Sequence, residues 1–140
     1  MIRPSRTAVA LLLAVSGAAL LAGCSTDSSK PVTDYAGEPK GVDAPASSAG
    51  GASWAAWLEQ GRQLGIVLYG SSTCPPTVQS IQVTADNQLQ ATLAPVSGGV
   101  CAQDYVPHTT VFATPARVSS ASDVTIRLPD VAVALAGLRG

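Results

Sequence analysis

Between Ile81 and Leu93 the chain alternates strictly: Ile81, Val83 and Ala85 are separated by Gln82 and Thr84, and Leu89, Ala91 and Leu93 by Gln90 and Thr92. Asp86-Asn87 sits between the two runs. Period-two alternation on both sides of an Asx-containing turn predicts a β-hairpin with one face buried. Upstream, Trp54–Leu58 and Gln63–Tyr69 flank Glu59-Gln60-Gly61-Arg62, which reads as a second hairpin with Gly61 supplying a positive φ. The competing reading is a helical turn over residues 53–60 that puts Trp54, Trp57 and Leu58 on one face; the hairpin is favoured. Residues 109–113 are β-rich and stop before Pro115. Residues 124–128 alternate and stop at Pro129, and residues 131–135 make a last strand, with a short C-terminal helix as the other reading. Short strands and frequent turn signals predict an all-β domain over 53–140. Its form is either a small β-sandwich, immunoglobulin-like by strand count, or an open barrel.

The beginning of the chain has a different pattern. Arg3 and Arg6 precede an uncharged apolar run over residues 8–22. A positive flank followed by a run shorter than the roughly 20 residues of a membrane span is the anatomy of a secretory signal peptide, here 1–23. Pro4 and Ser5 separate the arginines, so the twin-arginine signal is absent. The run ends in Leu21-Ala22-Gly23-Cys24, which resembles the lipobox of bacterial lipoproteins. The resemblance implies cleavage before Cys24, diacylglyceryl transfer to its thiol and a mature chain anchored on the outer face of the cell membrane. An ordinary signal peptide with Cys24 as a bystander is the plainer alternative. Two acyl chains, at roughly 0.8 kcal/mol per buried methylene, suffice for a lasting anchor.

After Cys24 the residues up to Ala52 are rich in Ser, Gly, Pro, Ala and Asp, with one aromatic, Tyr35, and no apolar periodicity. Such a stretch buries too little apolar surface to offset its ordering entropy, which predicts a disordered linker over 24–52. At that length its root-mean-square span is about 30 Å, enough to lift the folded domain clear of the bilayer.

Charge and cysteine count narrow the function classes. Loss of Arg3 and Arg6 with the leader leaves six basic against nine acidic residues, net −3 (6 − 9). A mildly acidic surface without a basic stripe or aromatic platform excludes nucleic-acid binding. Outside the cytoplasm disulfides persist, and with Cys24 lipidated only Cys74 and Cys101 remain to pair. By the chain-entropy model that closure stabilises a small domain by about 3.6 kcal/mol.

Candidate chemistry is sparse. Cys74-Pro75-Pro76-Thr77 places a cysteine after an apolar strand and a turn, as in a thioredoxin-type site, yet Thr77 stands where the second thiol belongs. An extracytoplasmic redox role for Cys74 is therefore the runner-up to a structural disulfide. Asp104 and His108 suggest an acid–base or metal pair, but His108 is the sole histidine and no zinc set of adequate size exists. The plainer reading has the Asp104 carboxylate accepting backbone N–H groups in its turn. Ser71 and Ser72 lack a Gly-x-Ser-x-Gly elbow or a phosphate-loop lysine, and Glu59, Asp86, Asp104, Asp123 and Asp130 stand at unrelated strand ends. Trp57 reads as core; Trp54, at the domain edge, is open between core and recognition surface. No cofactor, metal ligand or catalytic set is expected.

The string "YGSSTCPP" (residues 69–76), with Cys101-x-x-Asp104 and a Pro-Thr element over residues 107–110, is similar to small alanine-rich lipoproteins of actinobacteria. The resemblance covers roughly Trp57 to Pro115 and implies a shared small β domain. The expectation is a lipid-anchored binding or interaction module at the cell envelope, with an envelope or extracellular partner. Its binding rim is made by Ser71, Ser72, Thr73, Asp104 and Tyr105. A purely structural envelope lipoprotein is the third reading.

Overall fold

The computed structural model describes residues 27–96 and 98–140. The expected signal peptide over 1–23 and Cys24 lie outside the described residues. Nine strands are present among those described: β1 (Ser28–Ser29), β2 (Thr33–Ala36), β3 (Trp54–Leu58), β4 (Gln63–Gly70), β5 (Val78–Ala85), β6 (Gln88–Leu93), β7 (Val106–Ala113), β8 (Val124–Arg127) and β9 (Ala132–Leu135). They form two sheets, one ordered β1-β5-β6-β8-β9 and the other β2-β7-β4-β3. The molecule is a disulfide-stapled β-sandwich, without a closed barrel. Its order differs from the immunoglobulin arrangement: β6 lies between β5 and β8, and the β6–β8 contact is parallel.

Each predicted hairpin forms. In β5–β6, Val83 faces Leu89 and Ile81 faces Ala91, all turned to the core, while the Gln82–Gln90 pair faces water. Asn87 takes the left-handed turn position, φ 56°. In β3–β4, Trp54–Leu58 is a strand, not a helical turn, and Gly61 has the expected positive φ of 86°. A Cβ on Gly61 would also come within 2.5 Å of Ser120 Oγ, so the position needs glycine for space as well as for backbone angle.

The inner faces supply one core, with Leu64, Ile66 and Phe112 from the second sheet against Ile81, Leu89, Val124 and Ile126 from the first. Each such fully buried side chain contributes about 1.5–3 kcal/mol relative to exposure. The β3 and β9 sides of the sandwich are tied by the indole N–H of Trp57, which donates to the Ala136 carbonyl at 2.9 Å.

The disordered linker expected over 24–52 is corrected by the fold. From Asp27 onward the chain belongs to the sandwich: β1 pairs antiparallel with β5, and β2 pairs antiparallel with β7. Residues 37–52 then run as a strap over the outer face of the second sheet, with Pro39 buried and Val42 packed on Trp54, Ala56 and Val67. The physical reason is that edge strands need only backbone bonds. Ser28, Ser29, Thr33 and Asp34 can supply these without any apolar periodicity.

Candidate functional site

The predicted rim assembles at the end of the sandwich where β4 finishes and β5 and β7 begin. Gly70 closes β4, and a Cβ there would lie 2.7 Å from Pro76 Cδ, so the Cys-Pro-Pro turn folds directly onto it. Cys74 and Cys101 are joined by a disulfide that links this turn to the β6–β7 loop. Across the staple, the Ser72 N–H donates to Asp104 Oδ1 at 2.8 Å and the Ala102 N–H to Thr73 Oγ1 at 2.8 Å. Ser71 Oγ lies 3.3 Å from Thr73 Oγ1. Ser71, Ser72, Thr73 and Asp104 thus belong to one hydrogen-bonded unit. The backbone N–H that Asp104 Oδ1 accepts at 2.8 Å comes from the opposite turn. Hydrogen bonds from Ser72, hydroxyl first and backbone second, hold its carboxyl below the ordinary carboxylate pKa.

Tyr105 extends the rim onto the outer face of the second sheet. Its ring stacks on Tyr69, centroids 5.7 Å apart, and its hydroxyl donates to the Gly51 carbonyl at 3.0 Å. The side chain nonetheless remains 64% exposed. Beneath it the Trp54 indole N–H donates to the Tyr69 hydroxyl (3.3 Å), which donates to Glu38 Oε1 (2.6 Å). Partial burial first, and the Glu38 carboxylate second, raise the Tyr69 pKa above its ordinary value. Trp54 is therefore core to the strap contact, 2% exposed, and not a surface anchor.

Glu38 and Gly51 are site residues that sequence reasoning missed, because they lie in the segment read as a linker. A signal was present. Trp54–Leu58 and residues 64–69 are nearly continuous apolar runs, unlike the alternating β5 and β6, and a continuous run marks a strand covered on both faces. The strap also walls a groove of about 680 Å³ on the same outer face, lined by Tyr35, Pro39, Lys40, Leu58, Gln63 and Val111. This lies within the usual range of small-ligand sites.

The other candidates disperse. His108 Nε2 lies 2.9 Å from Asp34 Oδ1, so the lone histidine joins β7 to β2 instead of pairing with Asp104. Asp86 bonds Arg117, and Asp123 accepts the Gly137 N–H. Glu59 pairs with its neighbour Arg62. Among the described residues no group of three His, Cys, Asp or Glu side chains is placed to hold a metal ion.

No family model, curated protein or solved structure matches the chain.

Proposed function

We propose that this chain is a lipid-anchored extracytoplasmic binding module, fixed to the cell membrane through Cys24 and presenting the residue 70–73 turn with Asp104 and Tyr105 to an envelope or extracellular partner. The observation that carries the reading is the rim itself. The two loops are locked by a disulfide and by Ser72–Asp104 and Thr73–Ala102 hydrogen bonds, yet Ser72, Thr73, Asp104 and Tyr105 stay exposed. A rigid exposed surface loses little conformational entropy on binding, and Tyr offers large contact area with few torsions. The signal-peptide pattern and the residue 21–24 motif support export and anchoring. The disulfide, at home in an oxidising compartment, agrees with them.

The test places a photo-crosslinking amino acid at Ser72 and, separately, at Arg127 on the outer face of the other sheet, in living cells. A discrete crosslinked species from Ser72 and none from Arg127 is the expected result. Crosslinking that is equal at both positions, or absent at both, rejects the rim. The anchor is tested by Cys24→Ala, which should move the protein from the membrane fraction to the soluble fraction.

A further inference from the structure

Every strand of the sandwich runs between the same two ends, and the register sorts the loops between them. At one end are the β4–β5 turn, the β6–β7 loop and the staple, together with Gly51, held there by Tyr105. At the other are the β5–β6 turn (Asp86, Asn87), the β3–β4 turn (Glu59–Gly61) and the β7–β8 loop (Arg117, Ser119, Asp123). The described chain enters at this second end. Ser28 is opposite Gln82, the Val83 N–H donates to the Asp27 carbonyl at 2.9 Å, and Arg117 holds Asp27 Oδ2 at 3.3 Å and Asp86 Oδ1 at 3.1 Å.

We infer that this entry end lies against the lipid headgroups and that the sandwich stands on the membrane with its staple and rim pointing away. The inference rests on the proposed lipidation of Cys24. Three residue steps separate Cys24 from Asp27, and a fully extended chain covers at most about 11 Å in three steps. The anchored domain therefore has no room to turn over. β4 and β5, eight residues each, span the distance between the entry end and the rim end in opposite directions. At about 3.3 Å per residue they hold the rim roughly 26 Å further out, about three Debye lengths from the charged bilayer surface at physiological salt. The entry end carries Asp27, Glu59, Asp86 and Asp123 against Arg62, Arg117 and Arg139, the last following Leu138, whose N–H donates to the Ser120 carbonyl, so it has no net positive charge for anionic headgroups to attract. Chain length alone sets the orientation, which makes it insensitive to salt.

The test uses the full mature protein, its Cys24 lipidation checked by mass, in vesicles of phosphatidylcholine and phosphatidylglycerol. Ser122→Cys at the entry end and Gly99→Cys at the rim end are labelled separately with a maleimide fluorophore and quenched by spin-labelled headgroups. Quenching several-fold stronger at Ser122→Cys is expected, unchanged by salt, and a long Gly/Ser spacer inserted between Thr26 and Asp27 should abolish the difference. Equal quenching without the spacer, or a difference that survives it, overturns the orientation. An unmodified Cys24, or protein that does not bind the vesicles, overturns the anchor and the orientation with it. That outcome is distinct from an anchored domain that tumbles.

Discussion

The two ends of the sandwich are held together by different means. At the rim end, a covalent staple does the long-range work and small hydroxyl and carboxylate groups adjust the loops around it. At the entry end one amide takes that part. Asn87 donates to the Ser119 carbonyl (3.1 Å) and the Asp123 carbonyl (3.2 Å), and its oxygen accepts the Ser119 N–H (2.8 Å). The rim end carries exposed chemistry and needs a crosslink because its loops have little apolar surface of their own. The entry end is a junction of turns whose backbone groups must be satisfied locally.

The largest contrast should come from the staple. Replacing both Cys74 and Cys101 by alanine should cost about 3.6 kcal/mol, a fall in melting temperature of about 15 °C or more for a domain of this size. Thermal denaturation of the double variant, and of the unaltered protein in reductant, measures it; an unchanged midpoint would show that the hydrogen bonds across the staple suffice alone. At the other end Asn87→Ala should cost about 2 kcal/mol, combining lost hydrogen bonds with alanine's poorer tolerance, relative to asparagine, of the positive φ there. Asn87→Gly removes only the first part and should cost about half as much. Denaturant midpoints of the pair divide the two contributions, and equal losses would assign the whole effect to the side chain.

Smaller effects sharpen the comparison at the outer face. Tyr69 has a folded pKa above its unfolded value, so its contribution to stability is complete below pH about 10 and is lost as pH rises through the folded pKa. In a spectrophotometric titration Glu38→Gln should bring the Tyr69 transition down, yet leave it above the ordinary value because burial is the larger cause. Asp104 has the opposite sign: its contribution is present above the unfolded carboxylate pKa and is lost as pH falls through the depressed folded pKa. Asp104→Asn should flatten the acid side of the stability profile without changing the alkaline side. The smallest stability change is expected for Arg117→Ala, because its ion pairs are exposed. Hydrogen exchange at Ser28 and Ser29 should nonetheless quicken there and remain unchanged at residues 71–73.

Within residues 53–140, β5, β6 and β8 were legible because they alternate with the period of a half-buried sheet, β3 and β4 as apolar runs flanking the Gly61 turn, and Pro115 and Pro129 mark where later runs stop. The staple was expected from the reading of Cys24 as the lipidated residue, which leaves Cys74 and Cys101 to pair, and the disulfide between them is present. Residues 27–52 were not legible. β1 and β2 are held by backbone bonds to β5 and β7, and the strap is held by single contacts: Pro39 and Val42 on the outer face, the Gly37 carbonyl accepting the Thr109 hydroxyl at 2.7 Å, and Gly51 under Tyr105. None of these leaves a local pattern, since each partner lies far along the chain.

The amino-acid sequence by itself determined the strand periods and the turn positions, since these follow from neighbours in the chain. Only the tertiary structure decided that the glycine- and serine-rich approach to the domain is part of it, that His108 goes to Asp34 while Asp104 goes to Ser72, and that Tyr105 covers Tyr69. Those outcomes depend on which edges and faces are left open once the sheets have formed. A polar segment docks there through backbone groups that every residue except proline carries in full.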